Sequence, residues 1–318
     1  NTNTSIGLKA IIDICGLTGR EITINDIIFK IGPRINASGR MQNAKETVSL
    51  LIERNYKSAF HNADMINHYN EQRKDLDKSM TEEANKIVEN LKENNDHKAI
   101  VIYNEEWHKG VIGIVASRLT EIYFQPAVVL TRTDDLATGS ARSVAGFDIY
   151  SAIASCRDIL ENFGGHTYAA GLSLKVEHIP EFKRRFEEYV QKNILHEQTL
   201  PNIDIDAVIG FQDITHKFFM DMKRFQPFGP DNKKPVFCSE HVYDYGTSKV
   251  VGREQEHIKL ELVDNKSSKI MNGIAFGQSS QARYIKTKQS FDIVYTLEDN
   301  THKRGEIQLQ IEDIRPSE

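Results

Sequence analysis

NFGGHTYAAGL, residues 162–172, sets two adjacent glycines and a histidine ahead of a run of small side chains. Glycine has no Cβ, so Gly164 and Gly165 can take backbone angles closed to other residues and let a bulky neighbour approach their N–H groups. That neighbour is either another strand or an anion. The pair reads as a turn that feeds the strand YAAGLSL, 168–174. Working outward, KAIVIY (98–103) has the apolar run of a buried strand, GVIGIVASRLTEIYF (110–124) is helical, and PAVVLT (126–131) is a strand entered through a proline. ATGSARS (137–143) predicts a further strand, 148–160 a helix and 178–192 an amphipathic helix. Strands and helices in that order make an α/β domain over about 98–194.

The flanks differ in kind. Ala63, Ile66, Leu76, Met80, Ala84, Ile87 and Leu91 recur mostly three or four apart, which predicts one long helix over most of 44–94. Its outer face is dense in Glu, Lys, Asp and Asn and it holds no proline or glycine, as suits a rigid connector between two bodies. From Asn202 the pattern turns to short alternating strands: IDIDAVI, PVFCSEHVYDYG, HIKLELVD, IMNGIAFG, FDIVYTLED and EIQLQIEDI, with only 214–224 helical. Such a series fits a small closed barrel of the OB kind, whose groove often holds single-stranded nucleic acid.

With 318 residues and 39% hydrophobic side chains, the chain can build two compact cores or one large one, which excludes disordered and fibrous classes. The 40 basic and 45 acidic residues leave a formal charge of -5, so an anionic partner must be held locally. Lys30, Arg34 and Arg40 have no acidic residue between them, and Lys233 and Lys234 follow a Gly-Pro turn. Cys15, Cys156 and Cys238 lie far apart without a CxxC spacing, which points away from disulfides and zinc and toward a reducing cytosol. No apolar run approaches the roughly 18 residues of a membrane span. The start, NTNTSIGLKA, has neither an initiator methionine nor a signal pattern and reads as cut from a longer chain.

Several residues are suited to phosphate chemistry. Period-two alternation places Ser140 and Arg142 on one strand face, and a guanidinium binds phosphate through paired, charge-assisted hydrogen bonds. IGPRINASGRM (31–41) reads as a loop before a helix, carrying Arg34 and Arg40 where a helix N-terminus attracts anions. Trp107 and His108 stand at the mouth of another helix, the tryptophan as a stacking surface or a core plug. His166 is open to three readings: a satisfied core residue, a donor to phosphate, or a metal ligand. No second histidine or carboxylate stands at ligand spacing around it. Asp204 and Asp206 form a two-aspartate string that reads as one polar strand face.

Taken together, IGPRINASGRM, WHKGVIGIVASRL, GSARS, FGGHTYAAGL, FQPFGPDNKKPVF and FDIVYTLEDN resemble, in order and spacing, the RecJ family of bacterial 5′-to-3′ single-stranded-DNA exonucleases. GGHxxAAG alone marks the wider DHHA1 domain, shared with small-nucleotide phosphodiesterases and related to a module of alanyl-tRNA synthetases. PRINASGRM, PFGPDN and the barrel tail carry the resemblance to RecJ itself. It implies an α/β chain made of a DHH-domain tail (1–43), a long connecting helix (44–97), a DHHA1 domain (98–194) and an OB-like barrel (202–318). It also implies hydrolysis with Mn or Mg held by aspartates and histidines of an N-terminal DHH domain. NDHK at 95–98 breaks the Asp-His-His pattern at Lys98. No metal or cofactor site is therefore expected in this chain, and the chain alone is expected to be inactive.

By the same resemblance, Ser140, Arg142 and the Gly164–Gly165 backbone hold the 5′-terminal phosphate, aided by Arg34 or Arg40. His108 and Ser143 complete the substrate-binding set, and His166 is the catalytic candidate, donating to a phosphate near the scissile bond. Single-stranded DNA as partner, a role in repair and recombination, a cytoplasmic location, a monomer and no membrane contact are the further expectations. The alternatives are a phosphodiesterase for oligoribonucleotides or cyclic dinucleotides, a noncatalytic nucleic-acid-binding module, and a tRNA-editing accessory domain.

Overall fold

The computed structural model describes residues 3–92, 97–229, 231–287, 289–300 and 305–317. They fall into two units, Asn1–Pro201 and Asn202–Glu318. Helix α1 (Ile6–Ile14) starts at Ser5, whose hydroxyl accepts from Leu8 N at 3.3 Å. Helix α2 (Ile24–Asp26) continues through a π-helical turn, Ile27–Ile31, directly into α3 (Gly32–Met41). Residues 31–41 are thus a helix and not the expected loop. Pro33 lies in the first turn of α3, where its missing N–H has little to satisfy. Ser38 is fully buried, its hydroxyl bonded to Thr47, so the string packs inward at Ala37 and Ser38.

The long helix expected over most of 44–94 is α5 (Tyr56–Lys92), and a separate α4 (Lys45–Ile52) precedes it. Glu53 takes an extended conformation, and its carboxylate accepts from the N–H groups of Arg54 and Asn55 at 2.7 and 2.8 Å. The Asn55 side chain then accepts from Ser58 N at 3.2 Å and caps the new start. α5 serves two cores. Ala59, Ala63 and Ile66 pack with Ala10 and Ile11 of α1, whereas Met80, Ala84 and Val88 pack with Trp107, Val111 and Leu119.

The first unit contains a five-stranded sheet: β1 (Ile100–Tyr103), β2 (Ala127–Thr133), β3 (Leu136–Arg142), β4 (Asn162–His166) and β5 (Ala169–Lys175). Its spatial order is β1-β2-β3-β5-β4, parallel between β1 and β2 and antiparallel elsewhere. Helix α6 (Ile112–Tyr123) makes the crossover from β1 to β2, α7 (Ile149–Ala154) precedes β4, and α8 (Ile179–Asn193) follows β5. Leu130, Ala141, Leu172 and Leu174 point to one face and pack with Phe182, Phe186 and Val190 of α8. Ile100, Ile102, Ala127 and Val129 point to the other and pack against α6 and α5.

β4 corrects the turn expected at the two glycines. Gly165 pairs with Ala170 and has φ of 153°, and a Cβ there would stand 2.3 Å from the Ala169 carbonyl oxygen. A Cβ on Gly164 would meet nothing within 4 Å. The two glycines therefore divide the alternatives between them: Gly165 admits a strand, and Gly164 faces open space.

The second unit begins with β6 (Ala207–Val208) and α9 (His216–Lys223), capped by Thr215. β7 (Phe237–Asp244), β8 (Lys249–Val251), β9 (His257–Asp264) and β10 (Ile270–Ala275) follow. A short α10 (Ala282–Ile285) then leads to β11 (Phe291–Asp299) and β12 (Ile307–Pro316). The ladder β7-β11-β12-β10-β9 is closed by pairing of β9 with β7, giving a five-stranded barrel with the OB-fold order. Its centre holds Tyr295, whose OH lies 2.9 Å from Ser239 Oγ and whose pKa burial drives upward.

The strand expected over 203–209 is only β6, so Asp204 and Asp206 are not one strand face. Exposed Asp204 pairs with Lys233 at 3.6 Å, and Asp206 accepts from Val236 N at 2.8 Å. Among the described residues no helix is long and apolar enough to cross a membrane.

Candidate functional site

Residues directly opposite in an antiparallel ladder share a face, so the register of β3, β5 and β4 lays out two rows. One row is Ser140, Gly171 and Gly164, and the next is Arg142, Ala169 and His166. Both continue the face that α6 covers over β1 and β2, through Val129 and Ala127. On β3 the side chains are half-buried, and on β4 they are exposed. The result is a trough whose floor has almost no side-chain bulk: two glycines and an alanine, with Ser140 and Arg142 on one flank and His166 on the other.

Arg142 Nη1 donates to Ser140 Oγ at 3.0 Å and to the Ala141 carbonyl at 2.7 Å. Its pKa is lowered by burial and then by the charge of Arg40. Arg40, in the last turn of α3, donates from Nη1 to the Gly110 carbonyl at 3.1 Å. Among the described residues no carboxylate pairs with either guanidinium. Two cations that repel across a half-buried space are stabilised by an anion between or beside them. The start of α6 adds to this field. A Cβ on Gly113 would come within 2.9 Å of Ser140 Oγ and 3.1 Å of Arg142 Nη2, and no side chain caps this helix end.

Comparison with known proteins agrees with this architecture. The family model described as the DHHA1 domain matches residues 96–192, and the one described as the RecJ OB domain matches 205–313. The single-stranded-DNA-specific exonuclease RecJ of Bacillus subtilis (strain 168) is 34% identical over 316 residues, 98% of this chain and 40% of that protein. The chain is homologous to RecJ. The Haemophilus influenzae RecJ is 28% identical over 98% of the chain and 55% of its own length. The crystal structure of RecJ in complex with Mn2+ from Thermus thermophilus superposes with a TM-score of 0.81 at 25% identity, over 98% of this chain and 44% of that one. The same protein in complex with Mg2+ gives 0.80 at 24%, covering 98% and 46%. The chain spans about half the length of the curated relatives it matches, or less.

In this RecJ homologue the other sequence-derived candidates fall in different places. His108 Nδ1 accepts from Gly110 N at 3.1 Å beside the Arg40 contact, so the neutral ring carries its proton on Nε2. Ser143 is one residue past β3, and its hydroxyl donates to the Phe147 carbonyl at 2.7 Å. Arg34 is six residues from Arg40 on one helix, roughly 240° around the axis. Its guanidinium is committed to Asn67 at 2.9 Å and the Lys30 carbonyl at 2.8 Å. Arg40 is thus the arginine coupled to Arg142. Trp107 is a core plug, 5% exposed, donating from its indole to Glu83 at 2.8 Å.

Gly113, Ala169 and Gly171 belong to the trough and escaped sequence reasoning. The alternation of YAAGLSL carried the signal for the last two, since Ala170, Leu172 and Leu174 are its apolar phase. On the barrel, Tyr243, Tyr245, Ser248 and Lys286 line one pocket, and Lys249 pairs in register with Lys259. Phe228 packs onto the barrel core, and Lys234 is ion-paired with Glu298. Among the described residues no three His, Cys, Asp or Glu side chains converge to hold a metal. Of NDHK, Asn95 and Asp96 lie outside the described residues.

Proposed function

We propose that this chain is the DNA-binding, 5′-end-recognising part of a RecJ-like 5′-to-3′ single-stranded-DNA exonuclease. It acts as a monomer in the cytoplasm, in repair and recombination. The observation that carries this reading is the carboxylate-free pair Arg142 and Arg40 beside Ser140, over a floor of Gly171 and Gly164 that lets a phosphate rest against backbone. A terminal phosphate bears up to two charges and an internal diester one, so the pair favours the 5′ end. His166, across Ala169 from Arg142, donates to the phosphate nearer the scissile bond. His108 supports the Arg40 end of the site. The hydrolytic step uses Mn2+ or Mg2+ on residues of an N-terminal DHH domain, and this chain alone is expected to leave DNA intact when incubated with Mn2+.

The barrel binds single-stranded DNA, with Tyr243 and Tyr245 stacking bases at about 1 to 3 kcal/mol for each stack and Lys249 and Lys259 following the backbone. Titrating labelled single strands and blunt duplex with this chain at increasing salt tests it. Single strands are expected to bind more tightly, with affinity falling as counterions are released. Equal affinity for duplex, or no salt dependence, contradicts the reading.

A further inference from the structure

A second group of cations lies on α5 and α6. Asp77, 3% exposed, receives both Nε and Nη2 of Arg118, at 2.7 and 2.9 Å. Arg73, one turn earlier on α5, stands 3.8 Å from the same carboxylate and donates to Asn70 Oδ1 at 3.3 Å. Its Nε is buried without a hydrogen-bond partner. Lys74 and Lys78 are exposed at the rim of the same pocket, and among the described residues neither has an ion pair. Four cations against two carboxylates, Asp77 and Glu82, leave a net charge of +2 around the opening.

A structural bridge accounts for Asp77 and Arg118. It does not account for Arg73, whose Nε is left bare, nor for two lysines converging on the same opening. Burial lowers the pKa of Arg73, as do the charges of Arg40 and Arg118, against the pull of Asp77. The charge of Arg40 thus acts on both Arg142 and Arg73.

We propose that the Arg73–Lys74–Lys78–Arg118 pocket is a second phosphate subsite, which holds an internal phosphodiester of the bound strand. Asp77 fixes the two guanidiniums, and the lysines supply the remaining charge. That the strand is DNA rests on the function proposed above; the anion chemistry does not.

The test is Lys74→Ala/Lys78→Ala, two exposed positions whose removal leaves the fold intact, with thermal unfolding as the control. Matched oligonucleotides with a 5′-phosphate or a 5′-hydroxyl are titrated against this chain over a range of salt. The slope of log affinity on log salt is expected to fall by about 1 to 1.5, equally for both ends. Arg142→Ala, run alongside, is expected to remove only the difference between the ends. If the lysine variant shows the reduced slope and Arg142→Ala changes nothing, the pocket stands and the 5′-end reading falls. An unchanged slope in the folded lysine variant overturns the pocket, whatever Arg142→Ala does. So does weakened binding of inorganic phosphate with strand affinity intact.

Discussion

In the exonuclease proposed for this chain, Arg142→Ala is expected to erase the proposed preference for a 5′-phosphate over a 5′-hydroxyl. The guanidinium already spends one nitrogen on Ser140 Oγ and the Ala141 carbonyl, and its half-buried position strengthens whatever the others bind. Hydrogen bonds to charged groups contribute about 1.5 to 3 kcal/mol, so the ratio of initial cleavage rates on the two substrates should fall about 10- to 100-fold. His166→Ala should slow both substrates alike, because that side chain lies across Ala169, on the other flank of the trough. Initial rates on oligonucleotides that differ only at the 5′ end separate the two effects. Full preference retained in Arg142→Ala would move the end-recognition role to Arg40.

Gly165→Ala should be the most destabilising single-methyl change in the sheet, whereas its neighbour should tolerate the same change. At Gly165 the new Cβ meets the Ala169 oxygen at 2.3 Å and the Ala170 Cα at 2.5 Å, and the backbone sits at φ of 153°. Neither obstacle can swing aside, since both are backbone of β5. Detachment of β4 with a loss of about 2 to 4 kcal/mol is expected. At Gly164 the methyl enters open space, so stability should stay within about 0.5 kcal/mol. There the cost should appear in binding, because the methyl rises from the trough floor where the phosphate is proposed to lie. Urea unfolding and strand titration of both variants check this. Equal destabilisation, or unimpaired binding by Gly164→Ala, would contradict the layout.

Which parts of this were readable beforehand follows from what carries a pattern. Alternation in GSARS and YAAGLSL was enough to bring Ser140 and Arg142 to one face and to separate the apolar phase of β5. The strand β4 was not readable, because its two glycines show no alternation and its pairing is a matter of backbone alone. Residues 31–41 are rich in turn formers, and their helix depends on the π-turn before them and on contacts distant in sequence, Arg34 to Asn67 and Ser38 to Thr47. Until that helix is known, Arg34 and Arg40 look equivalent. The motif resemblance supplied Ser140, Arg142, Gly164 and His166 together but not Gly113, Ala169 or Gly171, and Ser143 carries no visible sign that its hydroxyl is taken by Phe147. The Arg73–Arg118 pocket joins residues 45 positions apart on two helices, which no local pattern announces.

The most direct measurement is the affinity of this chain, without metal, for two single strands that differ only at the 5′ end. Tighter binding of the 5′-phosphorylated strand by about tenfold at low salt is expected, set by one charge-assisted arginine contact. The advantage should shrink as pH falls below about 6, where the terminal phosphate loses its second charge. Equal affinity for the two strands across that range would contradict the claim that the trough recognises the 5′ end.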